Sequence, residues 1–155
     1  GQPLGMLRSG GSPPSVTALA WLPMGARLFA GRGCHLAQLW DAGTGKIVRT
    51  LQAMAPVVYV TVAGNGNTLV AGSSDGTVRF WDLDSGELRG VILDCVDHVV
   101  QLSFDGQYRV DPDKQTDVVY VALTPEGQLM LTPDEFATKF RSRNNPSRVK
   151  LVPGR

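Results

Sequence analysis

The stretch Ala71-Gly-Ser-Ser-Asp-Gly-Thr-Val-Arg-Phe-Trp-Asp-Leu-Asp-Ser-Gly-Glu87 decides how the chain folds. Its centre, "TVRFWD", is rich in β-branched and aromatic residues and sends alternate side chains to opposite faces, as a strand does. Asp75-Gly76, just before it, suits a tight hairpin turn. "LDSGE", just after it, supplies the small and polar residues of a second turn. "TLVAG" upstream and "ELRGVIL" downstream read as further strands.

The same pattern occurs 41 residues earlier, as "AGRGCHLAQLWDAGTGK". At that offset Trp40-Asp41 meets Trp81-Asp82, Ala30-Gly31 meets Ala71-Gly72, and Gly45 meets Gly86. Val16 meets Val57, Gly25 meets Gly66 and Leu28 meets Leu69. The strands "SVTALAWL" and "VVYVTVA" open the two units, and "PMGA" and "GNGN" turn the chain after them. Each period therefore holds four short strands separated by turns. That is the make-up of a propeller blade, and the period falls in the blade range.

On these residues the sequence resembles the WD40-repeat family. The resemblance implies an all-β fold, a partial or incomplete WD40-type β-propeller of antiparallel four-stranded blades. It also implies a hydrogen-bond network in each blade joining a Trp, a Ser or Thr, an Asp and a His. Trp81, Ser73 and Asp75 match three of those positions in the second repeat, and "QAMAP" lacks the His. In the first repeat Trp40 matches, while Arg32 and Cys34 stand at the Ser and Asp positions. Trp40, Asp41, Ser73, Asp75, Trp81 and Asp82 are the expected structural blade residues.

The remaining chain departs from the repeat. "HVVQLSFDGQY" opens like a third unit, "RVDPDKQT" replaces its second strand with a polar loop, and "DVVYVAL" with "QLMLT" reads as a hairpin over "TPEG". Thr132, Pro133 and Glu135 spell a capping box at the start of a short helix. The expected organisation is a flexible segment at 1–14 and blades at 15–55 and 56–95. A degenerate third unit follows at 96–131, then a short helix and basic tail at 132–155. A propeller has four to eight blades. The chain is therefore expected to be the C-terminal portion of a larger propeller, to close a ring with other copies, or to be a small capped stack. The first is favoured by the absent initial Met, the abrupt first repeat and the degenerate last unit.

Composition limits the function classes. The chain has 155 residues, is 43% hydrophobic and 19% charged, and its longest apolar run (57–63) is too short to span a membrane. No secretory signal opens it. Cys34 and Cys95 do not make a disulfide framework, which fits a reducing, cytoplasmic setting. The formal charge of +1 hides an asymmetry. All 14 acids lie at or before Glu135, and six of the 15 basic residues follow it: Lys139, Arg141, Arg143, Arg148, Lys150 and Arg155. Such a tail is either a solvated counterweight to an acidic body or a contact for nucleic acid, an acidic partner or an anionic surface.

Four chemistries are weighed against that background. Gly43-Thr44-Gly45-Lys46 has the look of a phosphate loop, but Ile47 follows the Lys, Trp40 stands at the first glycine position, and no helix comes next. The repeat places Lys46 in the slot of Glu87, so no nucleotide cofactor is expected. Cys34-His35 and Cys95 with His98 offer zinc donors, but adjacent Cys-His is poor spacing and no metal is expected. Asp97, His98 and Ser103 lie close in sequence without a nucleophile elbow, so no catalytic site is expected. The tail offers only Phe136 and Phe140 for stacking, and both read as the apolar stripe of the helix. What remains is a non-catalytic protein-interaction scaffold. Its expected contact loops are 32–35, 52–57, 73–76 and 94–98, with Arg32, His35, Met54 and Tyr59 as the contacting side chains. The alternatives are nucleic-acid or acidic-partner binding through the tail, and a zinc-binding or enzymatic propeller.

Overall fold

Period-two alternation between turn residues makes antiparallel strands, and among the described residues the fold is mostly β with one short α-helix. The computed structural model describes residues 15–23, 25–64, 66–124, 127–141 and 144–153. The lead-in at 1–14 and parts of the "PMGA", "GNGN" and "TPEG" turns lie outside the described residues, as do Arg143 and Arg155 of the tail. The chain forms two compact units, residues 15–91 with 151–153, and residues 92–150.

The first unit holds one four-stranded sheet and the first four strands of a six-stranded one. One has the order β1 (Val16–Trp21), β2 (Arg27–Arg32), β3 (Leu36–Asp41), β4 (Lys46–Gln52). The other has the order β5 (Val57–Val62), β6 (Thr68–Ser73), β7 (Thr77–Asp82), β8 (Leu88–Asp94), and β8 ends in the second unit. The sheets form an open, partial WD40-type propeller and do not close into a barrel. The 41-residue offset holds in the pairing. Leu28 lies opposite Trp40, and Leu69 opposite Trp81. A bulge interrupts β1 between Val16 and Ala18, and another interrupts β5 between Val57 and Tyr59. A bulge sharpens strand twist, so both opening strands bend at the same place.

The core lies between the two sheets. Phe29, Ala37, Leu39, Leu51 and Ala53 from the first pack on Val57, Val60, Leu69, Ala71 and Trp81 from the second, all buried. Alternation sends Leu28, Ala30 and Trp40 to the opposite face of the first sheet, where they form a separate cluster. Gly31 sets the distance between the sheets. A Cβ there would lie 2.7 Å from Val57 Cγ1 and 3.3 Å from Val60 Cγ1. Thr17 adds a polar clasp, its hydroxyl donating to the Val57 carbonyl.

In the second unit, the end of β8 pairs with β9 (Val99–Ser103), and β10 (Tyr108–Arg109) lies on the far side of β9. The polar stretch after β10 contains a 3-10 helix at Pro112–Asp117, where the sequence suggested loop alone. The hairpin forms from β11 (Tyr120–Thr124) and β12 (Gly127–Leu131). Helix α1 (Pro133–Phe140) starts with the capping box. Glu135 N–H donates to Thr132 Oγ1, and Glu135 Oε2 accepts from Thr132 N–H at 2.8 Å. Its apolar stripe meets aromatic rings of its own unit. Phe136 stacks on Tyr120 with centroids 4.0 Å apart, Phe140 sits 4.8 Å from Phe136, and Tyr108 meets Tyr120 edge-on at 6.0 Å.

The sheet-to-sheet distance is open to test. Gly31→Val is expected to destabilise the first unit by about 1–3 kcal/mol through overpacking against Val57. Gly43→Ala, whose Cβ would meet only Asp41 Oδ1 at 3.4 Å, is expected to be milder. Urea denaturation followed by tryptophan fluorescence compares the two.

Candidate functional site

Each Trp-Asp pair does two jobs, and the Asp does the one at the surface. Asp41 Oδ1 accepts from Thr44 N–H at 2.8 Å and from the Thr44 hydroxyl at 2.9 Å, while Gly45 N–H donates to the Asp41 carbonyl at 2.9 Å. Asp82 Oδ1 accepts from Asp84 and Ser85 N–H, both at 2.8 Å, and Gly86 N–H donates to the Asp82 carbonyl at 2.9 Å. These bonds, with the Thr44 backbone first in one loop and the Ser85 backbone first in the other, hold both carboxyls below the usual carboxylate range. Gly45 and Gly86 carry positive φ (67° and 78°), which the turns require. Lys46 follows this turn and pairs with Asp41 at the start of β4. Trp40 and Trp81 are buried beneath.

At the opposite end of the sheets lie the β2–β3 turn, the 53–56 connection and the β6–β7 turn. In the β6–β7 turn Asp75 Oδ1 accepts from Thr77 N–H at 3.1 Å and from the Thr77 hydroxyl at 2.6 Å, and Arg79 reaches Ser73 Oγ at 3.4 Å and Asp75 at 3.5 Å. The Thr77 hydroxyl is the main cause of the lowered Asp75 carboxyl. The first repeat builds this corner differently. Arg32 is 5% exposed, and its Nη1 donates to Gln38 Oε1 at 3.0 Å. By the 41-residue offset Arg32 occupies the Ser73 position and Gln38 the Arg79 position, so the guanidinium has moved to the neighbouring strand. Arg32 thus lies inside the sheet.

His35 and Met54 hold exposed ground beside it. His35 stands at the Gly76 position and keeps the left-handed backbone, with φ 65° against 79° for Gly76. Met54 is also left-handed (φ 64°) and 76% exposed. Ala53 N–H donates to the His35 carbonyl at 2.8 Å, which ties the two loops together. Ser74 N–H donates to the Pro56 carbonyl at 2.9 Å, which ties the connection to the β6–β7 turn. Tyr59 lies on β5 opposite Gly72 and is exposed.

The remaining candidates belong to different units or serve other partners. Cys34 and His35 belong to the first unit, and Cys95 and His98 to the second. Both thiols are free, and among the described residues no three His, Cys, Asp or Glu side chains come together as a metal set. The Ser103 hydroxyl is engaged by Asp105 and the Gln107 carbonyl. Asp97 accepts from His98 Nδ1 at 2.7 Å and from Lys114 Nζ. Those two bonds, Lys114 first, bring the Asp97 carboxyl down to about 2. The sequence reading missed Lys114, which lies 17 residues from Asp97. It also missed the Arg32–Gln38 exchange, although the offset that pairs Gln38 with Arg79 was a visible signal. The basic tail is partly tied down. Tyr108 N–H donates to Asn144 Oδ1 at 2.8 Å, Asn145 N–H to Gln107 Oε1 at 2.7 Å, Arg109 to the Pro146 carbonyl at 2.9 Å, and Arg148 pairs with Asp105 at 2.7 Å.

The family model described as "WD domain, G-beta repeat" matches residues 45–82, from Gly45 of one Trp-Asp loop to Asp82 of the next. Residues 45–82 are thus similar to a WD40 repeat. Among curated proteins it is similar to "THO complex subunit 6" of Arabidopsis thaliana, 30% identical over 80 residues, covering 51% of this chain and 22% of that protein. It is also similar to "WD repeat-containing protein pop1" of Schizosaccharomyces pombe, 43% identical over 53 residues, covering 34% of this chain and 7% of that protein. The chain thus spans about a fifth or less of the length of these relatives. Among solved structures, the computationally designed Ika4 protein aligns with a TM-score of 0.48 at 19% identity, over 72% of this chain and 98% of that one. WD40 repeats are in general non-catalytic interaction platforms. Among the described residues no helix is long and apolar enough to cross a membrane.

Two outcomes check the local physics. His35→Gly is expected to raise stability by about 1 kcal/mol, because a left-handed backbone costs a side-chain-bearing residue that much. Thermal melting reads it. The Asp97 carboxyl is depressed in the folded state, so its links to Lys114 and His98 are complete above pH 4. They are lost as the pH falls towards 2. Carboxyl NMR titration is expected to show Asp97 near 2 and a rise in Lys114→Gln.

Proposed function

We propose that the chain is a non-catalytic protein-interaction scaffold, the C-terminal portion of a larger WD40-type propeller in a reducing, cytoplasmic setting. The observation that carries the docking reading is the pair His35 and Met54. Both are side-chain-bearing residues held in left-handed backbone on loops tied to each other. Backbone strain of this kind concentrates where a surface is shaped for contact. Met54 is a flexible apolar side chain standing in solvent, and methionine adapts well to a partner's surface. Tyr59 adds a ring with a polar tip on the neighbouring strand, a residue type enriched in binding hot spots. The partner that fits is a protein offering an apolar pocket, with a rim that accepts from Tyr59 or His35.

The tail is a poorer contact. Arg148 is paired with Asp105, and residues 144–149 are bonded to the Gln107–Arg109 stretch, which speaks for a strap and against a nucleic-acid arm. The free thiols support the reducing setting.

A photo-crosslinking residue at position 54 or 59 tests the reading in the whole polypeptide within cells. It is expected to trap one discrete protein at both positions, and Met54→Lys with Tyr59→Lys is expected to weaken recovery of that protein at least tenfold at an unchanged melting temperature. Trapping nothing, or recovery indifferent to both charges, would overturn it.

A further inference from the structure

The β8–β9 hairpin holds a buried imidazole nitrogen that no other group uses. Cys95 N–H donates to the His98 carbonyl at 2.9 Å, so these residues face each other across the turn at Val96 and Asp97. Facing residues send their side chains to the same face of a hairpin. Period-two alternation puts Leu93 beside Cys95 on that face, and Val100 and Leu102 beyond His98. Tyr108 joins them from β10, where it lies opposite Leu102. The stretch from Val118 to Val121 forms the other wall of a cleft of about 510 Å³. Small-molecule sites commonly measure ~300–1,000 Å³. The cleft belongs to the second unit, whereas His35 and Met54 belong to the first.

The lining is mostly apolar and holds no carboxylate, lysine or arginine. Tyr108 is 2% exposed and meets Tyr120 edge-on. Burial pushes both tyrosine hydroxyls above their ordinary range, as a water-poor setting does. His98 is the polar exception. Its side chain is 10% exposed, and its Nδ1 lies 2.7 Å from Asp97 Oδ1. A carboxylate only accepts, so Nδ1 carries a proton, and in the neutral ring Nε2 is then an acceptor. Lys114 holds the other Asp97 oxygen and so steadies the group that orients the ring. Among the described residues Nε2 has no hydrogen-bond partner. An acceptor buried without a donor is costly, and a ligand that brings the donor removes that cost.

We propose that the cleft binds a phenol, an uncharged aromatic molecule whose hydroxyl donates to His98 Nε2. Neutrality follows from the lining. A charged ligand would lose its water and meet no opposite charge. The aromatic body follows from Tyr108 and Tyr120, because rings favour edge-on and offset contact with other rings. Cys95 lines the same cleft and serves as its reporter.

Three probes on the unaltered chain test this. 2-Naphthol, 2-methylnaphthalene and 2-naphthoate share a ring system and differ at one substituent. Equilibrium dialysis is expected to give 2-naphthol a Kd about tenfold or more below the other two, the worth of one buried hydrogen bond. His98→Phe keeps an apolar ring in place and removes the acceptor. It is expected to erase the advantage of 2-naphthol over 2-methylnaphthalene. The comparison on the unaltered chain decides the matter even if that variant fails to fold. Iodoacetamide labelling read by mass spectrometry locates the probe. 2-Naphthol is expected to slow alkylation of Cys95 several-fold and to leave Cys34, in the other unit, unchanged. Equal Kd values for 2-naphthol and 2-methylnaphthalene overturn the proposal. So does binding of none of the three, tighter binding of 2-naphthoate, or a Cys95 labelled equally fast with and without 2-naphthol.

Discussion

The close approach of two sheets at Gly31 is the constraint on which the first unit depends. Neither sheet can bury both of its faces alone. Each has Leu, Phe, Val and Trp on alternate residues, so a single sheet leaves one apolar face in water. The glycine lets Val57 and Val60 come in under the first sheet. Phe29, Leu39 and Trp81 then close around them, and the bulges in β1 and β5 give the strands the bend that keeps the faces matched. A burial of this kind contributes about 1.5–3 kcal/mol for each large side chain, far more than any single hydrogen bond in the turns. The turns therefore set the register, and the faces supply the stability.

Most of the first unit was legible because its signals are local and repeated. Turn residues at fixed offsets, period-two alternation and a Trp-Asp pair every 41 residues leave little freedom in where the strands lie. The capping box at Thr132 and Glu135 was legible for the same reason, since both bonds close within one turn of chain. What escaped was non-local. Lys114 reaches Asp97 across the β9–β10 hairpin, and Asn144 and Asn145 answer Gln107 and Tyr108 from more than thirty residues away. No period or spacing announces such pairs. The aromatic group of Tyr108, Tyr120, Phe136 and Phe140 was half visible. The helix stripe could be read, but its partner on the hairpin could not.

The candidate site shows the same division. The loops that carry His35 and Met54 followed from strand order, which places alternate turns at one end of a sheet. Their left-handed backbones did not follow, because neither residue type requires one. Arg32 looked like a surface cation and is an interior one. Charge in a sequence says nothing of depth when an amide such as Gln38 waits inside to receive it.

The corner that joins Arg32 to Gln38 bears on how such repeats change over time. In one unit the guanidinium belongs to β2 and its acceptor to β3, and in the next it belongs to β7 and its acceptors to β6 and the turn. A crossover between the repeats that falls between residues 32 and 38 would unite Arg32 with Arg79, or Ser73 with Gln38. The first hybrid holds two interior cations at one corner, and the second holds none. The seven residues from 32 to 38 therefore work as a set, to be exchanged whole or mismatched at the corner.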